Sequence, residues 1–202
     1  MAGTLHEAIG YVCNEAAGIS MALEQVFCAL LGNDRAWASQ QDASLGSQAS
    51  AVLTTAQQPF DSHPMVRDLR VDEEVRDWIV AELKTVQWAA QKRNRVVHDF
   101  WSMDSHSETR VVGIRAARFK IADVVTTTPA LIELGRLFGE LHMALQDEAV
   151  FISMARNGEP PAFSQTTPDR ESVRRLHETA QEHWNNMKTG SNTDWVWTVE
   201  QR

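Results

Sequence analysis

Lys92-Arg93-Asn94-Arg95-Val96-Val97-His98-Asp99-Phe100-Trp101 is the stretch around which the rest of the chain is arranged. It closes a run with helical apolar spacing. Three cations, an amide and an imidazole then fall within the seven positions from Lys92 to His98, before the sequence returns to aromatic residues. Asn94 lies four residues before His98 and Arg95 three, so on a helix the three side chains share one side. Arg93 stands about 140° around the helix from His98. Its long side chain, or a second copy of the chain, would have to complete the geometry.

Immediately upstream, Val75, Trp78, Ile79, Leu83, Val86, Ala89 and Ala90 form an apolar stripe that predicts a helix from Val71 to His98, with Asp72 as its N-cap. The quoted residues therefore occupy its last turns, where cations complement the negative end of the helix dipole. The two prolines within 59–64 mark a loop, and Asp42 to Gln58 reads as a shorter helix rich in Ala, Ser and Gln. Further back, Ile9, Val12, Cys13, Ala16, Ile19, Leu23, Val26, Phe27 and Leu30 recur at helical steps and predict one long helix from Leu5 to Leu31. Thr4 and Glu7 form a capping box at its start, and Gly32-Asn33 is a stop. Gly10 and Gly18 interrupt it as candidate close-packing points.

Downstream, Ser102 to Thr109 is polar and reads as a turn or loop. Arg110-Val-Val-Gly-Ile-Arg and Arg118-Phe-Lys-Ile-Ala alternate cation and apolar residue, which suits a two-stranded hairpin that must lie against the helices to be stable. Pro129 opens a further helix to about Arg156, carried by Leu131, Leu134, Leu137, Phe138, Leu141, Leu145 and Phe151. Residues 157–169 hold three prolines and a glycine, a linker before a polar helix from Arg170 to Lys188. Trp195 and Trp197 near the end receive no assignment.

A chain of 202 residues is long enough for one domain with appendages. No run reaches the roughly 20 apolar residues of a membrane helix, and the first residues lack the basic region and apolar core of a secretory signal. Cys13 and Cys28, fifteen positions apart in one predicted helix, would stand about 22 Å apart and could not pair. Two isolated thiols fit a reducing, cytoplasmic setting. The net charge of −8 argues against a nucleic-acid coat, yet charge is segregated. Between Lys84 and Lys120 eight cations face three anions, a local +5 that leaves −13 for the remainder. A phosphate-binding site on an acidic body has that distribution.

Arg93-Asn94, three residues, then His98 resembles the signature of the HEPN domains, whose pattern is an Arg, four to six residues and a His, with a polar residue, often Asn, after the Arg. The match is firm over about ten residues. The order of long helix, second long helix ending in the motif, short β-like insertion and another long helix extends it over residues 1–156. The resemblance implies a mainly α protein: a HEPN-like bundle of three or four main helices over 1–156 with a small inserted β-hairpin at about 109–122. A linker and a short C-terminal helical tail fill 157–202. It also implies a metal-independent endoribonuclease in which the RNA 2′-OH attacks the adjacent phosphate, giving a 2′,3′-cyclic phosphate and a 5′-OH. On that reading His98 is general acid/base, Arg93 stabilises the scissile phosphate and Asn94 orients it. Lys92, Arg95, Arg110, Arg115 and Arg118 bind RNA, and Asp99 orients the imidazole. The resemblance further implies a homodimer with the motif at the interface, in a toxin or phage-defence system held in check by an antitoxin or regulatory protein. Imidazole suits proton transfer near neutrality, and the guanidinium fork suits a phosphorane of growing charge.

Two other readings use the same residues. In one, Arg93 and Arg95 are helix-end cations, Asn94 and His98 a satisfied pair, and Phe100-Trp101 core. In the other, the bundle is kept without catalysis, as a module that binds nucleotide, RNA or a protein partner. His98, Asp99, Asp104 and His106 cluster in sequence but lack a recognised metal spacing, and the chain has no Glu-x-x-His pair, so no metal or other cofactor is expected. His6, His63, His142, His177 and His183 are scattered and read as surface or packing residues. No phosphate-cradling glycine loop, nucleophile elbow or zinc-finger spacing is present.

Overall fold

The computed structural model describes residues 4–32, 36–58, 73–98, 100–103, 110–117, 120–157, 168–189 and 196–198. The expectations for 59–64, Asp72, Asp99, 104–109, Arg118 and 158–167 lie outside them. The described chain is mainly helical. Helix α1 spans Leu5–Leu31, α2 Leu45–Gln57, α3 Glu73–His98, α4 Thr128–Asn157 and α5 Arg170–Thr189. Strands β1 (Phe100–Met103), β2 (Arg110–Ala117), β3 (Lys120–Thr127) and β4 (Val196–Thr198) form one antiparallel sheet in that order. No helix among the described residues is long and apolar enough to cross a membrane.

Local chemistry sets the helix bounds. Thr4 accepts from the Glu7 amide, and the Glu7 carboxylate accepts in return from the Thr4 amide, closing the capping box. At the other end Gly32 adopts φ 62° and donates its amide to Cys28 O at 2.7 Å, a left-handed cap that glycine takes without a side-chain clash. Cys13 and Cys28 lie on this one helix and are not paired with each other. Ser44 caps α2, the Thr127 hydroxyl accepts from the Ala130 amide at the start of α4, and Asp169 accepts from both the amide and the hydroxyl of Ser172 at the start of α5.

The apolar stripes meet in one core. Val12, Ile19, Leu23 and Leu30 of α1 pack with Leu131, Leu134, Phe138, Leu141 and Leu145 of α4, while Val75, Ile79, Leu83 and Val86 enter from α3. Between α1 and α2 a short 3-10 turn, Ala36–Gln40, buries Trp37 edge-on against Phe27 with ring centroids 5.5 Å apart. Helix α5 belongs to the same core through Val173 and Ala180. Arg170 pairs with Glu74, His177 with Glu82, and His183 with both Glu133 and Glu140, so α5 is tied to α3 and α4 along its length.

The sheet is larger than the expected hairpin. The β2–β3 pair runs from Arg110 to Thr127, Ser102 and Met103 belong to β1 rather than to a loop, and β4 adds the chain's late residues to the edge of β3. Trp101 of β1 folds back on α3, its indole N–H donating to Val96 O at 2.8 Å.

The two interior glycines of α1 behave differently. A Cβ on Gly18 would lie 2.7 Å from His142 Nδ1, so Gly18 is a point of close helix approach, whereas nothing lies within 4 Å of a Cβ on Gly10. Gly10→Ala should therefore raise stability by about 0.5–1 kcal/mol, through helix propensity and a less flexible unfolded chain. Gly18→Ala should yield no such gain, because His142 has to move. Urea denaturation of the two variants beside the parent checks this, and an equal gain at both positions would refute the close approach.

Candidate functional site at the end of α3 and in the bundle core

The motif residues occupy the last two turns of α3. Val96 is buried and anchors this end of the helix, while His98 is exposed. Among the described residues no hydrogen bond or ion pair holds the His98 imidazole. Asn94, one turn earlier on the same side, is half-buried in an open groove of about 410 Å³ between α2 and α3. Ser44, Ser47 and Ser50 from α2 and its cap, with Gln87, Gln91 and Asn94 from α3, line that groove with hydroxyls and amides. The Gln87 amide donates to Ser50 Oγ at 2.9 Å and fixes the spacing of the two helices.

The cations are not equivalent. Lys92 is half-buried, and its Nζ stands 5.4 Å from the centroid of the Trp88 ring. Burial draws the Lys92 ammonium down to about 8. Arg93 is also half-buried, and its Nε is shielded from solvent without a hydrogen-bond partner among the described residues. Arg95 is half-buried on the next position round. Arg110 and Arg115 lie on β2, paired in register with Thr127 and Ala122, while Asp99 and Arg118 are outside the described residues.

A second cluster, which no sequence motif marks, lies in the bundle core. Glu82 of α3 and Glu148 of α4 are both fully buried, and His177 of α5 closes on them with Nδ1 2.9 Å from Glu82 Oε1. One donor atom from each residue lies within 4.8 Å of the other two. The Trp78 ring stacks on the imidazole at 5.6 Å, and a turn further on the Gln181 amide reaches the buried Thr85 hydroxyl at 3.4 Å. Burial pushes the Glu148 carboxyl well above the ordinary value of 4.5, and the nearby Glu82 and Asp147 charges push the same way. Burial also raises Glu82, opposed by its contact with His177. Among the described residues no N–H or hydroxyl reaches Glu82 Oε2 or either Glu148 oxygen, so these carboxyls can satisfy each other only by sharing a proton. The available signal was positional: Glu82 and Glu148 each take a core-facing step in an apolar stripe, beside Ile79 and Val86 in one helix and Leu145 and Ile152 in the other.

Comparisons with protein-family models, curated proteins and solved structures find no match.

Proposed function

We propose that this protein is a metal-independent endoribonuclease of HEPN type. The observation that carries the reading is the exposure of His98 at the end of α3, one turn beyond an Asn94 that lines a polar groove. An imidazole free to meet substrate, rather than locked into the core, is what proton transfer to and from RNA hydroxyls requires. The groove offers hydroxyl and amide groups in the mixture of donors and acceptors that recognises unstacked bases and ribose. Arg93 supplies the charge for the scissile phosphate, and a second copy of the chain brings the matching motif to the other side of the cleft. In a toxin or defence system an antitoxin would act by covering this end of α3.

The test is cleavage of total cellular RNA by the purified full chain in EDTA, with circular dichroism verifying that the protein stays folded in that buffer. Products ending in 2′,3′-cyclic phosphate and 5′-OH are expected. Cleavage that needs a divalent cation would overturn the mechanism. Absence of cleavage across total RNA by a folded protein would favour a non-catalytic binding module.

A further inference from the structure

We propose that Glu82, Glu148 and His177 form a binding site for one divalent transition-metal cation, which ties α5 to α3 and α4. The site draws one ligand from each of three helices, as bundle-core metal sites do. Its donor atoms, all within 4.8 Å of one another, have to draw closer together by rotamer adjustment to meet a single ion at bond lengths of about 2.0–2.2 Å. Both carboxyl groups are completely buried, and Glu148 has no N–H or hydroxyl donor on either oxygen among the described residues. A dication cancels two carboxylate charges that the core otherwise has to neutralise with protons. Two oxygens and an imidazole nitrogen suit Zn²⁺ or Mn²⁺ better than Mg²⁺ or Ca²⁺, whose protein sites are built from oxygen alone. The His177 side chain retains 14% exposure, which supplies an entry path, while stacking on Trp78 holds its ring in plane.

This site is separate from RNA cleavage. Glu82 stands sixteen residues before His98 on the same helix, about 24 Å along the axis. The cation is therefore structural, and its loss should loosen α5 without touching the motif.

The experiment is calorimetric titration of the EDTA-stripped and dialysed full chain with Zn²⁺, and separately with Mn²⁺, followed by hydrogen exchange across α5. One equivalent per chain is expected for at least one of the two ions, with slower exchange in α5 on binding. Glu148→Gln, which keeps the shape of the side chain, should weaken that binding at least tenfold, and His177→Ala should do the same. His98→Ala should bind like the parent. No binding by the folded parent would overturn the proposal and leave a proton-sharing carboxyl pair. Equal binding by parent and Glu148→Gln, or loss of binding in His98→Ala alone, would place the ion elsewhere and overturn it equally. Binding is read at Glu148 and cleavage at His98, so the failure of one proposal does not decide the other.

Discussion

His98→Ala is expected to lower RNA cleavage by about 10²–10⁴-fold, the span associated with losing a positioned general acid/base. Its effect on folding should be within about 0.5 kcal/mol, because the residue is exposed and holds no described partner. That separation makes the variant informative: a rate lost with an unchanged urea midpoint locates chemistry at the imidazole. Arg93 should be nearly as sensitive, and Arg93→Lys should not rescue it, since a point ammonium cannot reproduce a bidentate fork on phosphate. Asn94→Ala should act more on KM than on kcat if the amide orients substrate within the groove. Single-turnover cleavage of one RNA by the three variants, beside thermal melts, measures all of this. Cleavage by His98→Ala at the parental rate would end the general acid/base assignment, whatever the cations do.

The elements legible in the sequence were those whose signals are local. Thr4, Glu7 and Gly32 bracket α1 because caps act over three or four residues, and the α3 stripe is visible because its apolar steps repeat within one helix. The alternation around Arg110 and Lys120 signalled the β2–β3 pair for the same reason. Pairing of β3 with β4 joins Val125 to Val196 across α4 and α5, and nothing in either segment announces the other. Helix α5 reads as a polar tail because many of its contacts are polar: Arg170, His177 and His183 dock it through carboxylates on α3 and α4. At the site, residue types and spacing singled out Arg93, Asn94 and His98. Spacing encodes neither the exposure of His98 nor the contact of Trp101 with Val96, because both are set by tertiary packing. Glu82 and Glu148 carry no such signal, because a glutamate within an apolar stripe reads as an interruption when each helix is taken by itself. Only the meeting of α3 with α4 turns two interruptions into a pair.

That pair should give the metal-free protein an unusual pH profile. In EDTA, stability is expected to fall as pH rises above about 4.5, the ordinary value from which Glu148 is raised. Burial and the facing Glu82 and Asp147 charges hold a proton on Glu148 in the native state, so between the unfolded and native values the folded chain binds more protons than the unfolded one. Stability then declines with pH: the contribution is complete below the unfolded value and is lost as pH passes through the native one. Glu82 shifts in the same direction, with His177 opposing it, so the two carboxyls reinforce the slope. Surface carboxylates act the other way, and so do His142 and Lys92, which burial lowers, so the sign is read from the difference between the parent and Glu148→Gln. Glu148→Gln replaces the protonated acid by an amide of the same shape that donates to Glu82 at every pH. It should flatten the slope and exceed the parent at pH 8 by about 1–3 kcal/mol, the usual cost of a buried polar group left unsatisfied. Urea titrations of both proteins from pH 5 to pH 8.5 settle the matter. A parent curve as flat as the variant's would mean that ionising Glu148 costs the folded chain nothing, and therefore that water reaches the carboxylates.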